Sequence, residues 1–271
     1  MTRDIYIPIS VASQIDELSA NLPQSLLLTG EMGIGLRHIA THISKKYKLL
    51  ASVSPKLLTK SSTIPQISVE QIRELYTITR SKQRNPQSVI IDDADKMSLA
   101  AQNAFLKLLE EPPRSIHFIL TSHSPEHLLL TIRSRTRVCH VPKVSTAQTK
   151  ALIQSLAISD ATKSQQILFI AEGLPAEIIR LVQDDDYFQK TKTQMQLAKK
   201  LVVDPPYSRI TCIANAKLNR SDSLSILERY VSLLSRTPSS SSMQRMKAAL
   251  ESYSNISKGA NTRLQLVQAV L

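Results

Sequence analysis

Residues 25 to 37 constrain the fold of this chain more than any other stretch. Ser25-Leu26-Leu27-Leu28-Thr29 is a short apolar run that stops at Gly30, and a periodic stretch from about Leu36 to Leu50 follows it. That order implies a strand, a glycine loop and a helix. Within Gly30-Glu31-Met32-Gly33-Ile34-Gly35 the glycines have the spacing of a phosphate-binding loop, whose backbone amides close around phosphate oxygens at a helix start.

The alternation continues beyond the loop. A helical pattern runs around Val69 to Thr79, a strand at Val89-Ile90-Ile91, a helix from Leu99 to Glu110 and a strand at Ile116 to Leu120. Ser98 is suited to cap the third helix, and Pro112-Pro113 cannot continue it. The expected fold is α/β, a parallel sheet with flanking helices.

After Pro142 the strand signals fade and helical patterns dominate, with breaks at Gly173-Leu174-Pro175 and Asp204-Pro205-Pro206. We therefore expect a large α/β domain over 1–143, a small helical domain over 144–204 and a second helical domain over 205–271. Thr237 to Ser242 is expected to be a polar loop, and Asp184-Asp185-Asp186 solvated surface.

Charge narrows the partners. With 34 Lys and Arg against 22 Asp and Glu, the chain carries a net +12, which suits a polyanion such as nucleic acid; general solubility is the alternative. The basic residues spread from Arg3 to Arg263, as on a folded surface rather than a basic arm. Trp is absent and only four Phe are present, so contact through phosphates is expected in place of base stacking.

Cys139 and Cys212 are too few for a disulfide framework or a cysteine zinc site, which suits a reducing cytoplasm. Neither the start of the chain, Met1 to Pro8, nor any later segment has the apolar run of a signal peptide or a membrane span. The expectation is a protein that is neither exported nor membrane-spanning.

The phosphate loop lacks its working parts. The lysine that neutralises terminal phosphates and the Ser or Thr that holds magnesium are replaced by Leu36 and Arg37. Arg37 either swings toward a phosphate or faces solvent at the helix start. Ile91-Asp92-Asp93 ends a strand in the manner of a Walker B segment, with Asp93 where the water-polarising Glu normally stands. Aspartate is one methylene shorter, and a carboxylate set back by about 1 Å can forfeit on the order of a hundredfold in rate. Alternatively, Asp92, Asp93 and Asp95 only mark the polar end of a buried strand.

Two longer runs make the pattern specific: Ile91-Asp92-Asp93-Ala94-Asp95-Lys96-Met97, and Asn103-Ala104-Phe105-Leu106-Lys107-Leu108-Leu109-Glu110-Glu111-Pro112-Pro113. With Phe118-Ile119-Leu120-Thr121, with Ile67-Ser68-Val69-Glu70-Gln71-Ile72-Arg73 and with Leu129 to Thr136, they resemble the AAA+ subunits of bacterial DNA polymerase III clamp loaders. The resemblance covers roughly residues 20 to 142 in motifs and the helical remainder in pattern.

The resemblance implies an AAA+ P-loop NTPase-like domain, a lid and a C-terminal collar. It matches Ser134-Arg135-Thr136 to the family's serine-arginine-cysteine motif, with Thr136 in place of cysteine. Arg135 would then be an arginine finger acting in trans on ATP and magnesium held by a neighbouring subunit. A guanidinium so placed contributes about 10³ to 10⁵ in rate in other NTPases. From spacing alone, Arg133, Arg135 and Arg137 read equally as surface charges or DNA contacts.

By the same resemblance Thr121 holds the sensor 1 position. Glu177, in Gly173-Leu174-Pro175-Ala176-Glu177, stands where an ATP-binding relative has arginine. Family members often carry a cysteine zinc module, but Leu49 to Pro65 holds no cysteine, so no zinc is expected. His38 and His42 lack the Glu of a zinc-protease helix, and His123 and His127 flank Pro125 in a loop; no metal is expected at either pair.

The implied function is a non-hydrolysing stator in a heteropentamer with gamma/tau and delta subunits, a sliding clamp and primer-template DNA. Productively bound nucleotide is not expected in this chain's own loop. The rivals are a gamma/tau-like ATPase, which needs the loop lysine, and a stand-alone basic DNA-binding module.

Overall fold

We obtained a computed structural model of the chain, which describes residues 6–57, 65–79, 85–113, 115–158, 160–216 and 218–271. Of the features above, Arg3, Met1 to Ile5 and the 58–64 part of the cysteine-free stretch lie outside the described residues.

Among the described residues, β1 (Ser25–Thr29), β2 (Lys48–Val53), β3 (Gln87–Ile91), β4 (Ile116–Ser122) and β5 (Arg137–His140) form one parallel sheet in the order β2-β3-β4-β1-β5. β1 and β3 are buried along their whole length, which explains why they read as continuous apolar runs.

Alternate residues of β1 serve opposite faces. Leu27 joins Val89, Ile91, Phe118 and Leu120 against α3 (Val69–Thr79), α4 (Leu99–Glu110) and α5 (Leu130–Arg133), through Ile72, Phe105, Leu108 and Ile132. Leu26 and Leu28, with Ile90 and Ile119, pack instead on α1 (Ile9–Ala20) and α2 (Leu36–Ile43) through Ile15, Leu18, Leu36 and Ile39. The sheet is therefore covered on both faces, and its strand ends lead into the loops that carry the site.

α3 and α4 have the expected bounds, and the Ser98 hydroxyl accepts the Ala101 amide at 3.1 Å. Two expectations need correction. The periodic stretch from Leu36 to Leu50 is not one helix: α2 ends at Ile43, a 3-10 turn covers Ser44–Lys46, and Lys48 begins β2. As an edge strand β2 is only partly covered, so its exposed Leu49 breaks the alternation that would have revealed it. The sequence reading also contains no helix before β1, where α1 lies.

The helices that follow are α6 (Thr146–Ser155), α7 (Ala161–Ala171), α8 (Pro175–Gln183), α9 (Asp185–Val203), α10 (Pro206–Asn215), α11 (Arg220–Ser235), α12 (Ser240–Ser257) and α13 (Thr262–Val270). The acidic run starts α9: the Asp184 carboxylate accepts the Tyr187 amide at 2.9 Å, and Asp185 and Asp186 occupy the first turn, where the helix dipole favours negative charge. Likewise Ser240 to Ser242 are not loop but the first turn of α12, capped by Ser239.

Packing divides the chain into two compact units, Met1–Ile179 and Arg180–Leu271. In the second, Ala198 and Leu201 of α9 pack with Ile226, Tyr230 and Leu234 of α11, Ala249 and Ile256 of α12, and Leu266 and Val270 of α13. Two arginines satisfy helix-end carbonyls there. Arg245 donates to Leu201 and Val202 oxygens and to the Tyr230 hydroxyl, and Arg209 donates to Asp204 and Val270 oxygens. No helix among the described residues is long and apolar enough to cross a membrane.

Candidate functional site

The glycine loop follows β1 and opens α2, as its spacing requires. Gly30 passes so close to β5 that an added Cβ would sit 2.7 Å from the Val141 carbonyl oxygen. Gly33 and Gly35 take φ of 91° and 97°, in the left-handed region where side chains are strained. A phosphate-type loop is therefore built, but it is filled.

Leu36, at the lysine position, is 1% exposed and packs in the core under α2 rather than facing out of the loop. Its neighbourhood reaches Gly30, whose hypothetical Cβ would lie 3.4 Å from Leu36 Cδ2. The other side of the loop meets α8. The amides of Ala176 and Glu177 donate to the Gly33 carbonyl at 2.9 and 3.1 Å, so two of the free donors at that helix start are spent on the loop backbone. A Cβ on Gly33 would come within 3.1 Å of Glu177 Cβ. Glu177, at the sensor 2 position of the resemblance, is thus tied to the loop through its backbone.

The acids at the end of β3 are also occupied. Asp92 Oδ1 accepts the Thr121 hydroxyl at 2.8 Å, and Arg37 Nη1 lies 3.4 Å from Asp92 Oδ2. The Thr121 hydroxyl accepts the Asp93 amide at 2.9 Å, which ties the ends of β3 and β4 together. Asp93, at φ 49°, pairs with Lys96 at 2.7 Å and faces His123 Nε2 at 3.6 Å. His123 Nδ1 stands 2.8 Å from the Gly30 carbonyl oxygen, so this nitrogen carries the hydrogen that closes the circuit back to the loop. Asp95 accepts the His123 amide at 3.2 Å.

An arginine side chain thus stands against the carboxylate that would orient magnesium-bound water, and a buried leucine replaces the cation that would meet the terminal phosphate. These residues do not fit a magnesium nucleotide. Among the described residues, no group of three His, Cys, Asp or Glu side chains converges as a metal site requires, and His38, His42, His123 and His127 form no such group.

Arg135 lies elsewhere on the first unit. The chain turns at α5, and the Arg135 amide bonds the Ile132 carbonyl while the Ser134 and Thr136 hydroxyls bond Thr131 and Arg133 oxygens. Arg133 closes α5 and Arg137 opens β5, so the three arginines do not alternate along one strand. The Arg135 side chain is 39% exposed; Nη1 donates to the Thr131 carbonyl at 3.2 Å, and Nη2 meets Glu110 Oε1 at 3.2 Å. In the sheet register Arg137 pairs with Leu26, four residues before Gly30 and about 13 Å from it at strand rise. Arg135 precedes that point, so it serves no role at its own glycine loop.

A family model described as DNA polymerase III, delta subunit, matches residues 45–145, which span β2 to β5. The DNA polymerase III subunit delta' of Pseudomonas aeruginosa is 29% identical over 179 residues, 57% of this chain and 54% of the relative. The same subunit of Escherichia coli is 29% identical over 151 residues, 54% of this chain and 45% of the relative. The chain belongs to the DNA polymerase III delta' family. It spans about half the length of these curated relatives. A crystal structure of a DNA polymerase III gamma subunit-related protein from Thermotoga maritima superposes with a TM-score of 0.53 at 16% identity, covering 95% of this chain and 97% of that one. That likeness shows the AAA+ fold.

Sequence reasoning missed two side chains on which this delta'-family site depends. His123 was weighed only as a metal ligand, although its position two residues beyond Thr121 puts it at the same strand end. Gln102 is buried at 5%, donates to Met97 and His127 carbonyls and accepts the Leu129 amide at 2.8 Å. It thereby ties the start of α4 to the residue that precedes α5. The available signal was a lone amide among Ala101, Phe105, Leu108 and Leu109, the stripe α4 buries.

Proposed function

We propose that this chain is the delta' subunit of a bacterial DNA polymerase III clamp loader, and that it supports hydrolysis in a neighbour without hydrolysing ATP itself. The observation that carries the reading is the contrast between Leu36, buried where a catalytic lysine belongs, and Arg135, exposed on a turn that serves nothing in its own loop. A guanidinium offered outward supplies paired donors to a neighbour's phosphate oxygens as charge develops there.

In this reading ATP and magnesium belong to the adjacent subunit, no zinc is needed, and the partners are gamma/tau and delta subunits, the sliding clamp and primer-template DNA. The segments 1–143, 144–204 and 205–271 act as the AAA+ domain, lid and collar. The net +12 supports contact with DNA phosphates, and the setting is the bacterial cytoplasm, at replication forks.

The test is to assemble the full chain, wild type or Arg135→Ala, with an ATP-hydrolysing gamma/tau partner, delta, clamp and primed DNA. At matched assembly the variant should lose most DNA-stimulated hydrolysis; equal hydrolysis sinks the finger. Rapid ATP turnover by the isolated chain would favour the gamma/tau-like alternative instead.

A further inference from the structure

We infer that Glu110 is a positioning residue for Arg135, holding the guanidinium in the orientation from which it meets a neighbour's phosphate. The inference rests on the finger reading above. Glu110 is the last residue of α4, and Pro112 follows two residues later, so its place is fixed by the end of the helix. A carboxylate there opposes the helix dipole, and Glu110 and Glu111 put two in succession at the negative end. Helix stability alone does not account for an acid at this point; a cation held beside it does.

The geometry supplies that cation. Nη2 of Arg135 meets Glu110 Oε1 and Nη1 meets the Thr131 carbonyl oxygen, both at 3.2 Å. These two acceptors come from different elements, α4 and α5, so together they restrict both the position and the rotation of the guanidinium plane. Arginine carries five N–H groups, and these contacts use two of them. The remaining three are left for an incoming phosphate, enough for the paired donation that a lysine cannot make. Because the pair is partly exposed, its hold is weak enough for the guanidinium to adjust when phosphate arrives.

The test uses the full chain in the reconstituted complex, comparing Glu110→Ala, Glu110→Gln, Arg135→Ala and the Glu110→Ala/Arg135→Ala double variant. Glu110→Ala should lower the partner's kcat about fivefold, the scale of a partly exposed ion pair, with KM for ATP little changed. Glu110→Gln keeps an oxygen acceptor and should recover part of the loss. In the Arg135→Ala background, removing Glu110 should cost nothing more. An unchanged kcat in Glu110→Ala, or an equal further loss in the double variant, overturns the positioning role and leaves the finger standing. If Arg135→Ala alone is without effect, both fall.

Discussion

The glycine loop and the Arg135 turn are about equally small, yet the fold treats them in opposite ways. The loop is closed from every side: Leu36 from below, the first turn of α8 on the Gly33 carbonyl, and a circuit of Arg37, Asp92, Thr121, Asp93, Lys96 and His123 along the strand ends. The Arg135 side chain is held by one carbonyl and one exposed carboxylate. Groups that satisfy each other inside a chain are poorly placed to serve a ligand. A charged group held loosely at the surface gives up little when a partner arrives.

The largest expected effect tests the open half of that contrast. Arg135→Lys keeps the charge but not the planar fork, and it should lower the partner's hydrolysis by about 10² or more while leaving the chain's urea midpoint within experimental error of wild type. A lysine that works as well as arginine would reduce the turn to a diffuse positive charge.

The closed half is tested at Leu36. Leu36→Lys restores the missing cation on paper, but it forces an ammonium into the core. We expect a loss of about 2–4 kcal/mol in urea unfolding and no saturable ATP binding by titration calorimetry. A stable, ATP-binding variant would show that the loop is vacant rather than filled.

Between the two regions stands Gln102. Gln102→Ala leaves two carbonyls and one amide without their partner and should cost about 1–3 kcal/mol. Amide exchange should rise around Leu129 and α5 and stay unchanged in the glycine loop. Faster exchange in both places would mean that the two regions are not separately held.

The smallest effect concerns Cys139, on the strand that leaves the Arg135 turn. Burial pushes its thiol above the ordinary value, partly offset by Arg137. The native state therefore resists thiolate formation. This contribution to stability is complete below the ordinary thiol pKa and is lost as pH rises through the elevated folded value. Cys139→Ser should flatten that alkaline decline in a urea series, and in the native chain Cys139 should react with a thiol reagent more slowly than the partly exposed Cys212. Comparable rates would mean that the looseness of the turn extends into β5.

Much of the first unit was legible in the residues. Buried strands such as β1 and β3 appear as unbroken apolar runs, and α4 announces both its ends through Ser98 and Pro112. The edge strand β2 was lost to a helical pattern because only one residue of it is buried, leaving little periodicity to read. Among the site residues, Leu36 was recognisable as a missing lysine but not as a core residue. Arg37 was recognisable as a misplaced arginine but not as the partner of Asp92.

By itself the sequence determined the order of strand, glycine loop and helix, the absence of the loop lysine, and the motif that contains Arg135. These are properties of neighbours along the chain, where spacing and side-chain type act directly. Only the tertiary structure decided that residues 33 and 176, 37 and 92, and 110 and 135 would meet. Those pairings depend on how helices settle against a common sheet, and that packing is set by the whole core rather than by any local run of residues.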